Sequence, residues 1–135
     1  MQTQSTSTMT WEPWQPVPYE QTEGAPLLLR GEVSNHYRGQ IEGEGVQQVL
    51  IALSPDGASV FTALERVTGR IGDRSGSFVL QLTGTTGGGT AKATLEVLEG
   101  SGTDGLAGLR GTGAYFCDNP GPDGNATLTL DHSFE

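Results

Sequence analysis

The sequence ERVTGRIGDRSGSFVLQ, at residues 65–81, and the sequence EGSGTDGLAGLRGTG, at residues 99–113, decide the fold that we predict for this chain. They enclose two short runs, SFVLQL (77–82) and AKATLEV (91–97), whose β-branched and apolar residues are typical of strands. The glycine-rich TTGGGT (85–90) separates the two runs and predicts a tight turn. We therefore predict an antiparallel pair of strands here, with the rest of the chain supplying further strands around it.

Runs of the same kind recur along the chain, broken by Gly, Pro, Asp and Asn at a spacing typical of all-β domains. The predicted strands are residues 27–37, 39–46, 47–53, 58–67, 77–82, 91–97, 113–117 and 126–134. SPDG (54–57) and NPGPDG (119–124) are turn signals between strands, and we expect one helical turn at most, at DGLAGL (104–109). About eight strands suit a small closed antiparallel β-barrel, with side chains or one small ligand inside, so the fold class is all-β.

The composition favours one domain with an acidic surface. The chain has 135 residues, and its 21 glycines stand mostly singly between apolar runs, which indicates turns and bulges. Seven Lys and Arg residues against 16 Asp and Glu residues give a formal charge of −9. Such a surface repels phosphate backbones and anionic lipid headgroups, so we expect neither nucleic acid nor a membrane as partner. The plain alternative is that the charge simply keeps a glycine-rich protein soluble.

Neither a metal nor a cofactor is expected. Cys117 is the single cysteine, and His36, His132 and Cys117 lack the spacing of metal ligands. GSGTDG (100–105) matches the glycine pattern of dinucleotide sites, but further glycines follow where that site needs a helix. The N-terminus has no basic and apolar regions of a signal peptide, and no apolar run is long enough to span a membrane. We predict a cytoplasmic protein.

We predict two regions, a flexible N-terminus with an aromatic and proline-rich arm at residues 1–25 and a single β-barrel domain at residues 26–135. MQTQSTSTMT (1–10) has no apolar periodicity, so we expect it to be mobile or held by a partner. WEPWQPVPYE (11–20) contains three prolines, which favour an extended arm. Its aromatic side chains are expected to pack on the barrel and cover one end. A contact with a second subunit, as in a homodimer, is the alternative.

Strand alternation selects two candidate catalytic residues, because residues two apart in a strand point to the same side of a barrel wall. In the last strand His132 shares the apolar face, where it is either a hydrogen-bonded core residue or a general acid or base. Glu65 lies on a row with Phe61 and Val67. Burial raises the pKa of such a carboxyl unless it is paired. The alternative to a catalytic Glu65 is a structural ion pair with Arg70 or Arg110.

Five aromatic and sulfur-containing side chains are candidates to line the interior and bind substrate: Trp14, Tyr37, Phe61, Tyr115 and Cys117. Tyr115 and Cys117 share one strand face, and core packing is the alternative for that pair. None of the Ser, His and acidic residues lies in a recognisable nucleophile turn, so a hydrolase triad is not supported.

Four segments resemble a known family: YRGQIEGEG (37–45), ERVTGRIGDRSGSFVLQ, EGSGTDGLAGLRGTGAY (99–115) and TLTLDHSFE (127–135). They are similar to an uncharacterised family of small bacterial proteins, a domain of unknown function whose fold resembles the allene oxide cyclase barrel. The chain departs from that pattern at His132, where an aromatic residue is expected, and at the loop CDNPGPDG that begins at Cys117. The resemblance implies an eight-stranded antiparallel barrel with a lipophilic interior, and no functional residue is transferred from it.

The leading hypothesis is a cofactor-free cyclase or isomerase that acts on a hydrophobic, secondary-metabolite-like intermediate inside the barrel, as in natural product biosynthesis. Glu65 and His132 would exchange protons, Tyr115 would orient the substrate, and the arm would exclude water. The alternatives are a non-catalytic barrel that binds a lipophilic small molecule, and a structural or interaction protein whose barrel is filled with side chains.

Overall fold

Strands account for most of this protein. The computed structural model describes residues 2–118 and 124–134. In chain order these residues form β1 (Thr3–Trp11), β2 (Val17–Glu20), β3 (Leu27–Gly39), β4 (Ile41–Leu53), β5 (Ser59–Ile71), β6 (Arg74–Gly87), β7 (Thr90–Val97), β8 (Leu109–Cys117) and β9 (Ala126–Phe134). One 3-10 turn, Asp104–Leu106, lies between β7 and β8, within the segment where a helical turn is predicted. No described residue belongs to a helix with the length and hydropathy of a membrane span.

The strands form a closed antiparallel barrel. Their order is β1, β9, β8, β7, β6, β5, β4, β3, and a direct pairing of β1 with β3 closes the circle. The short β2 adds to β3 outside this circle. The predicted all-β fold with an eight-stranded closed barrel is thereby confirmed.

The closing strand β1 corrects the expectation that residues 1–10 are mobile. It pairs with β9 from Thr3 opposite His132 to Met9 opposite Ala126, and with β3 from Ser7 onward. Ser5, Ser7 and Met9 point inward. The inward serines give the segment no apolar periodicity, but the barrel provides a hydrogen bond inside it. The Ser7 hydroxyl accepts a hydrogen bond of 2.9 Å from the backbone N–H of Ile41.

A second expectation is also corrected. Two strands are predicted, at residues 39–46 and 47–53, but the structure has the single strand β4 there. The glycines within β4 do not end it. A Cβ atom added at Gly43 would overlap the backbone of Thr68 in β5, so glycine is required there for close approach of the two strands. The predicted number of barrel strands, about eight, is right because β1 replaces the strand lost in this merger, and β2 is an additional strand outside the barrel.

The turns and the core follow the alternation in the sequence. SPDG is a turn, in which the N–H of Gly57 donates to the carbonyl of Ser54 at 2.9 Å; most of NPGPDG, residues 119–123, lies outside the described residues.

The inward faces of β5 and β9 carry the residues predicted for them. Toward the β3–β4 and β5–β6 turns the interior is filled, with Ile41, Val67 and Phe78 almost completely buried. The opposite end of the barrel holds a cavity.

Candidate functional site

A cavity of about 400 Å³ occupies the end of the barrel where β4 meets β5 and β6 meets β7. Its walls are mainly apolar, and include Trp11, Trp14, Val33, Val49, Ile51 and Phe61. The polar residues that line it are Asn35, Gln47, Ser59, Thr86, Tyr115 and Cys117. The arrangement is that of a small-molecule pocket, with an apolar surface and a few polar groups at defined positions.

The aromatic arm borders this cavity. Trp14 and Pro16 line it, and Trp14 is also 37% exposed, so the arm lies at the rim. The arm is held by β2 on β3 and by the backbone N–H of Glu12, which donates to the carbonyl of Ser34 at 3.0 Å. The ring of Trp14 packs on the backbone of Gly31, where an added Cβ atom would lie only 2.6 Å from the ring. Glycine at this position in β3 therefore allows the tryptophan to lie close against the strand at the rim.

The predicted site residues separate into three groups. Trp14, Phe61, Tyr115 and Cys117 line the cavity. Tyr37 and Glu65 do not line it; both are buried next to Asn35, which does. His132 lies elsewhere, near the filled end of the barrel.

Glu65 forms a buried pair with Tyr37. The side chain points inward from the middle of β5, and the Tyr37 hydroxyl donates a hydrogen bond to Oε2 of Glu65. The other oxygen, Oε1, is buried and has no hydrogen-bond partner among residues 2–118 and 124–134. An added Cβ atom at Gly45 of β4 would overlap Oε2, so this glycine makes the space for the carboxylate.

The alternative of a structural ion pair for Glu65 is wrong. Arg70 binds Glu42 at 2.7 Å and Arg110 binds Glu99 at 2.8 Å, both on the outer surface of the barrel. Strand alternation explains this, because Arg70 and Arg110 occupy outward positions of β5 and β8 while Glu65 occupies an inward one.

Burial controls the proton equilibria of this cluster. Desolvation raises the pKa of Glu65, and the hydrogen bond from Tyr37 and the nearby amide of Asn35 oppose that rise in part. The pKa of Tyr37 is raised by burial and then by the charge of Glu65. The pKa of Tyr115 is also raised, first by burial, then by Glu65 and Cys117. The charge on Glu65 thus raises the pKa of Tyr115, a residue that lines the cavity.

His132 and Glu65 are not brought together by any hydrogen bond or ion pair within the described parts of the chain. The His132 ring packs edge-on against Phe134, with ring centroids 5.9 Å apart, and its Nδ1 has no partner among the same residues. The guanidinium of Arg74, at the start of β6, lies 3.9 Å above the Phe134 ring. This cluster belongs to the filled end of the barrel, away from the cavity.

With the site described, comparison with known proteins places the chain in a family. The family described as "Protein of unknown function (DUF3224)" matches residues 5–131. The chain belongs to the DUF3224 family. Its structure is similar to the crystal structure of a DUF3224 protein of unknown function from Shewanella oneidensis MR-1, with a TM-score of 0.82 and 28% identity over 100% of this chain and 98% of the other. No curated protein matches it.

The DUF3224 assignment confirms the predicted resemblance to an uncharacterised family. It carries no activity with it, so the function has to be argued from the chain's own residues. No group of three or more His, Cys, Asp or Glu side chains suited to a metal occurs in residues 2–118 and 124–134 of this DUF3224 protein.

Sequence reasoning missed two polar residues of this DUF3224 site, Asn35 and Gln47. Both are buried, and the Nδ2 group of Asn35 donates a hydrogen bond of 3.1 Å to Oε1 of Gln47. The signal was present in the alternation: Asn35 shares its strand face with Val33 and Tyr37, and Gln47 shares its face with Val49. An amide on an otherwise apolar strand face indicates a buried polar contact.

The chemistry open to this DUF3224 site follows from these groups. An apolar wall binds hydrocarbon, and the amide of Gln47 and the hydroxyl of Tyr115 offer hydrogen bonds to a polar atom of a ligand. Behind them, Glu65 holds its proton to a higher pH than an exposed carboxyl does.

Proposed function

We propose that this protein binds a small, largely apolar molecule in the cavity of its barrel. The observation that carries the proposal is the cavity itself, about 400 Å³ in volume with mainly apolar walls and two tryptophans at its edge. This volume lies within the usual range of about 300–1,000 Å³ for small-molecule sites. A barrel filled by side chains, the structural alternative, would leave no such space.

Tryptophan fluorescence offers a direct test, because both tryptophans of the chain line the cavity. Titration with hydrophobic probes, such as naphthalene derivatives, should give a saturable change in emission. Val49→Phe places a larger side chain in the cavity and should weaken binding about tenfold or more, through steric overlap. Native mass spectrometry and solvent extraction of the purified protein would identify any molecule that it already carries.

The matched control is Leu50→Phe, at the neighbouring outward position of β4, where the side chain is 49% exposed. It should leave probe affinity within about twofold. Absence of saturable binding, or equal effects of the two substitutions, would contradict the proposal and favour a structural or interaction role for the barrel.

A second candidate function is cofactor-free isomerisation or cyclisation of the bound molecule. Its specific support is Oε1 of Glu65, which is buried and has no hydrogen-bond partner in the described parts of the chain. The carboxylate form of a group with a raised pKa is a stronger base than an ordinary carboxylate. It can take a proton from one carbon of a substrate, become the carboxylic acid, and return the proton to another carbon, with no net change in protons or electrons. Tyr115 would hold the substrate oxygen. Glu65 lies directly behind Asn35, which lines the cavity, whereas His132 lies near the filled end of the barrel. Glu65 alone is therefore proposed for the proton transfer.

The probe for this activity is 3-cyclohexenone, whose conversion to the conjugated 2-cyclohexenone is followed by ultraviolet absorbance. General acid–base catalysis by Glu65 predicts that Glu65→Gln lowers the rate by about 100-fold or more. The control is Glu96→Gln, an exposed carboxylate on the outer face of β7. Equal rates for wild type and Glu65→Gln, with probe binding retained, would reject this candidate.

A further inference from the structure

We infer that the ligand of this cavity is an uncharged molecule with one polar group, such as a hydroxyl or a ketone, and that this group binds between Gln47 and Tyr115. The inference rests on the proposed binding function and specifies the class of ligand. It excludes carboxylates and other anions as the preferred ligand.

The first support is unused hydrogen-bonding capacity on two walls of the cavity. Gln47 is 7% exposed and lines the cavity; its Oε1 accepts from Asn35, and its amide nitrogen makes no hydrogen bond with the described residues. The Tyr115 hydroxyl likewise has no hydrogen-bond partner in the parts of the chain that the structure describes. Both groups line the cavity with hydrogen-bonding capacity to spare, so both are suited to bind a ligand's polar atom.

The second support is the position of these two groups in the barrel. Gln47 belongs to β4 and Tyr115 to β8. In the closed order of eight strands, β4 and β8 are separated by β5, β6 and β7 on one side and by β3, β1 and β9 on the other. The two side chains therefore reach into the interior from opposite walls. An amide N–H and a phenolic hydroxyl can bind the same carbonyl or hydroxyl oxygen from two directions.

The third support is electrostatic. Among residues 2–118 and 124–134, no side chain that lines the cavity belongs to Lys, Arg or His. The ionisable groups at the polar wall, Tyr115 and Cys117 in the lining and Glu65 behind it, are all acids, and Glu65 raises the pKa of Tyr115. An anionic ligand would lose its hydration without gaining a cation, and would be repelled by Glu65 whenever that group is ionised. A neutral polar group avoids both penalties.

Binding of four probes with the same hydrocarbon chain tests the inference: 1-octanol, 2-octanone, octanoate and octylammonium, measured at pH 7 by tryptophan fluorescence, with octane as the purely apolar reference. We expect 1-octanol and 2-octanone to bind about tenfold or more tightly than octanoate, because the described lining of the cavity offers neutral hydrogen-bonding groups and no cation.

Two substitutions locate the polar group. Tyr115→Phe and Gln47→Leu should each weaken binding of 1-octanol and 2-octanone by about fivefold or more, and leave octane within about twofold, since they remove hydrogen bonds and keep the volume. The matched controls are Tyr19→Phe and Gln48→Leu, both at exposed positions. They should change none of the affinities, and circular dichroism verifies that every variant is folded.

The outcomes separate the inference from the function on which it rests. If no probe binds, including octane, the proposed binding function fails. If octane and the alcohol bind but octanoate or octylammonium binds as tightly as the alcohol, binding stands and the inference of a neutral ligand is overturned. Equal loss of octane and octanol affinity in Tyr115→Phe would overturn the assigned polar contact.

Discussion

Glu65 occupies a position that apolar residues usually occupy, inside a barrel and 1% exposed. The structure accommodates it by three specific features: the hydroxyl of Tyr37, the nearby amide of Asn35 and the missing side chain at Gly45. Burial of the charged carboxylate costs more free energy than burial of the neutral carboxyl, so the folded state favours the protonated form. The consequence is a stability that depends on pH.

We predict that Glu65→Gln changes this dependence. The pKa of Glu65 is raised in the folded protein above its ordinary value of 4.5, so the folded state keeps the proton to higher pH than the unfolded chain. The stabilisation that this gives is full below the unfolded pKa and is lost as the pH rises through the folded one. The free energy of unfolding of wild type should therefore fall relative to that of Glu65→Gln above about pH 4.5, by at most about 1.4 kcal/mol per pH unit.

Urea unfolding of both proteins from pH 4 to pH 9 measures this difference. Glu96→Gln, on the exposed face of β7, serves as the control and should run parallel to wild type. A constant difference between wild type and Glu65→Gln over the whole range would show that burial does not raise the pKa of Glu65.

At the scale of the elements, the packing of β5 side chains against β4 depends on a glycine in β4. Gln47 lies opposite Glu65 in this pair of strands, and Gly45 lies two residues before Gln47 on the same inward face. The carboxylate of Glu65 extends over Gly45, and a methyl group there would overlap it. Glycine is unfavourable within a strand, so its presence here reflects this contact and not the needs of β4 alone.

Gly45→Ala should therefore destabilise the protein by about 1–3 kcal/mol, as expected when a methyl group is forced into a packed interior. The loss should be smaller in a Glu65→Ala background, where the overlapping carboxylate is absent. A double-mutant cycle measured by urea unfolding gives the coupling energy, which we expect to be about 1 kcal/mol or more. Additive effects of the two substitutions would mean that Gly45 is required for its backbone conformation instead.

For the molecule as a whole, closure of the barrel depends on contacts between residues far apart in sequence. β1, at the start of the described chain, joins β9 at its end, and the same strand joins β3. Without β1 the edges of β3 and β9 would expose unpaired backbone groups, which promote aggregation. The N-terminal strand is thus a structural part of the barrel.

Removal of residues 2–11 should abolish cooperative unfolding, because it opens the barrel and uncovers the interior faces of β3 and β9. Near-ultraviolet circular dichroism and urea unfolding measure the effect, and size-exclusion chromatography detects the expected aggregation. The control is Thr10→Ala, an exposed change within β1, which should alter the free energy of unfolding by about 0.5 kcal/mol or less. A monomeric, cooperatively folded truncation product would contradict the role of β1.

At the level of the site, strand alternation predicted the inward positions of Glu65, His132, Phe61 and Tyr115, since the period of two is a property of the backbone. It did not predict which of these side chains would meet. Glu65 contacts Tyr37, from a strand two places away in the barrel, and His132 contacts Phe134. Position along the barrel axis decides such contacts, and it follows from the register of all the strands together.

The sequence by itself determined the all-β class, the faces of the strands and the acidic surface, because these follow from local alternation, turn residues and composition. Only the tertiary structure decided that β1 closes the barrel, that β4 continues through its glycines, and that an apolar cavity lies beside the Glu65–Tyr37 pair. The physical reason is that these features arise from pairing between distant strands, where barrel closure outweighs the weak local preference of a segment such as residues 1–10.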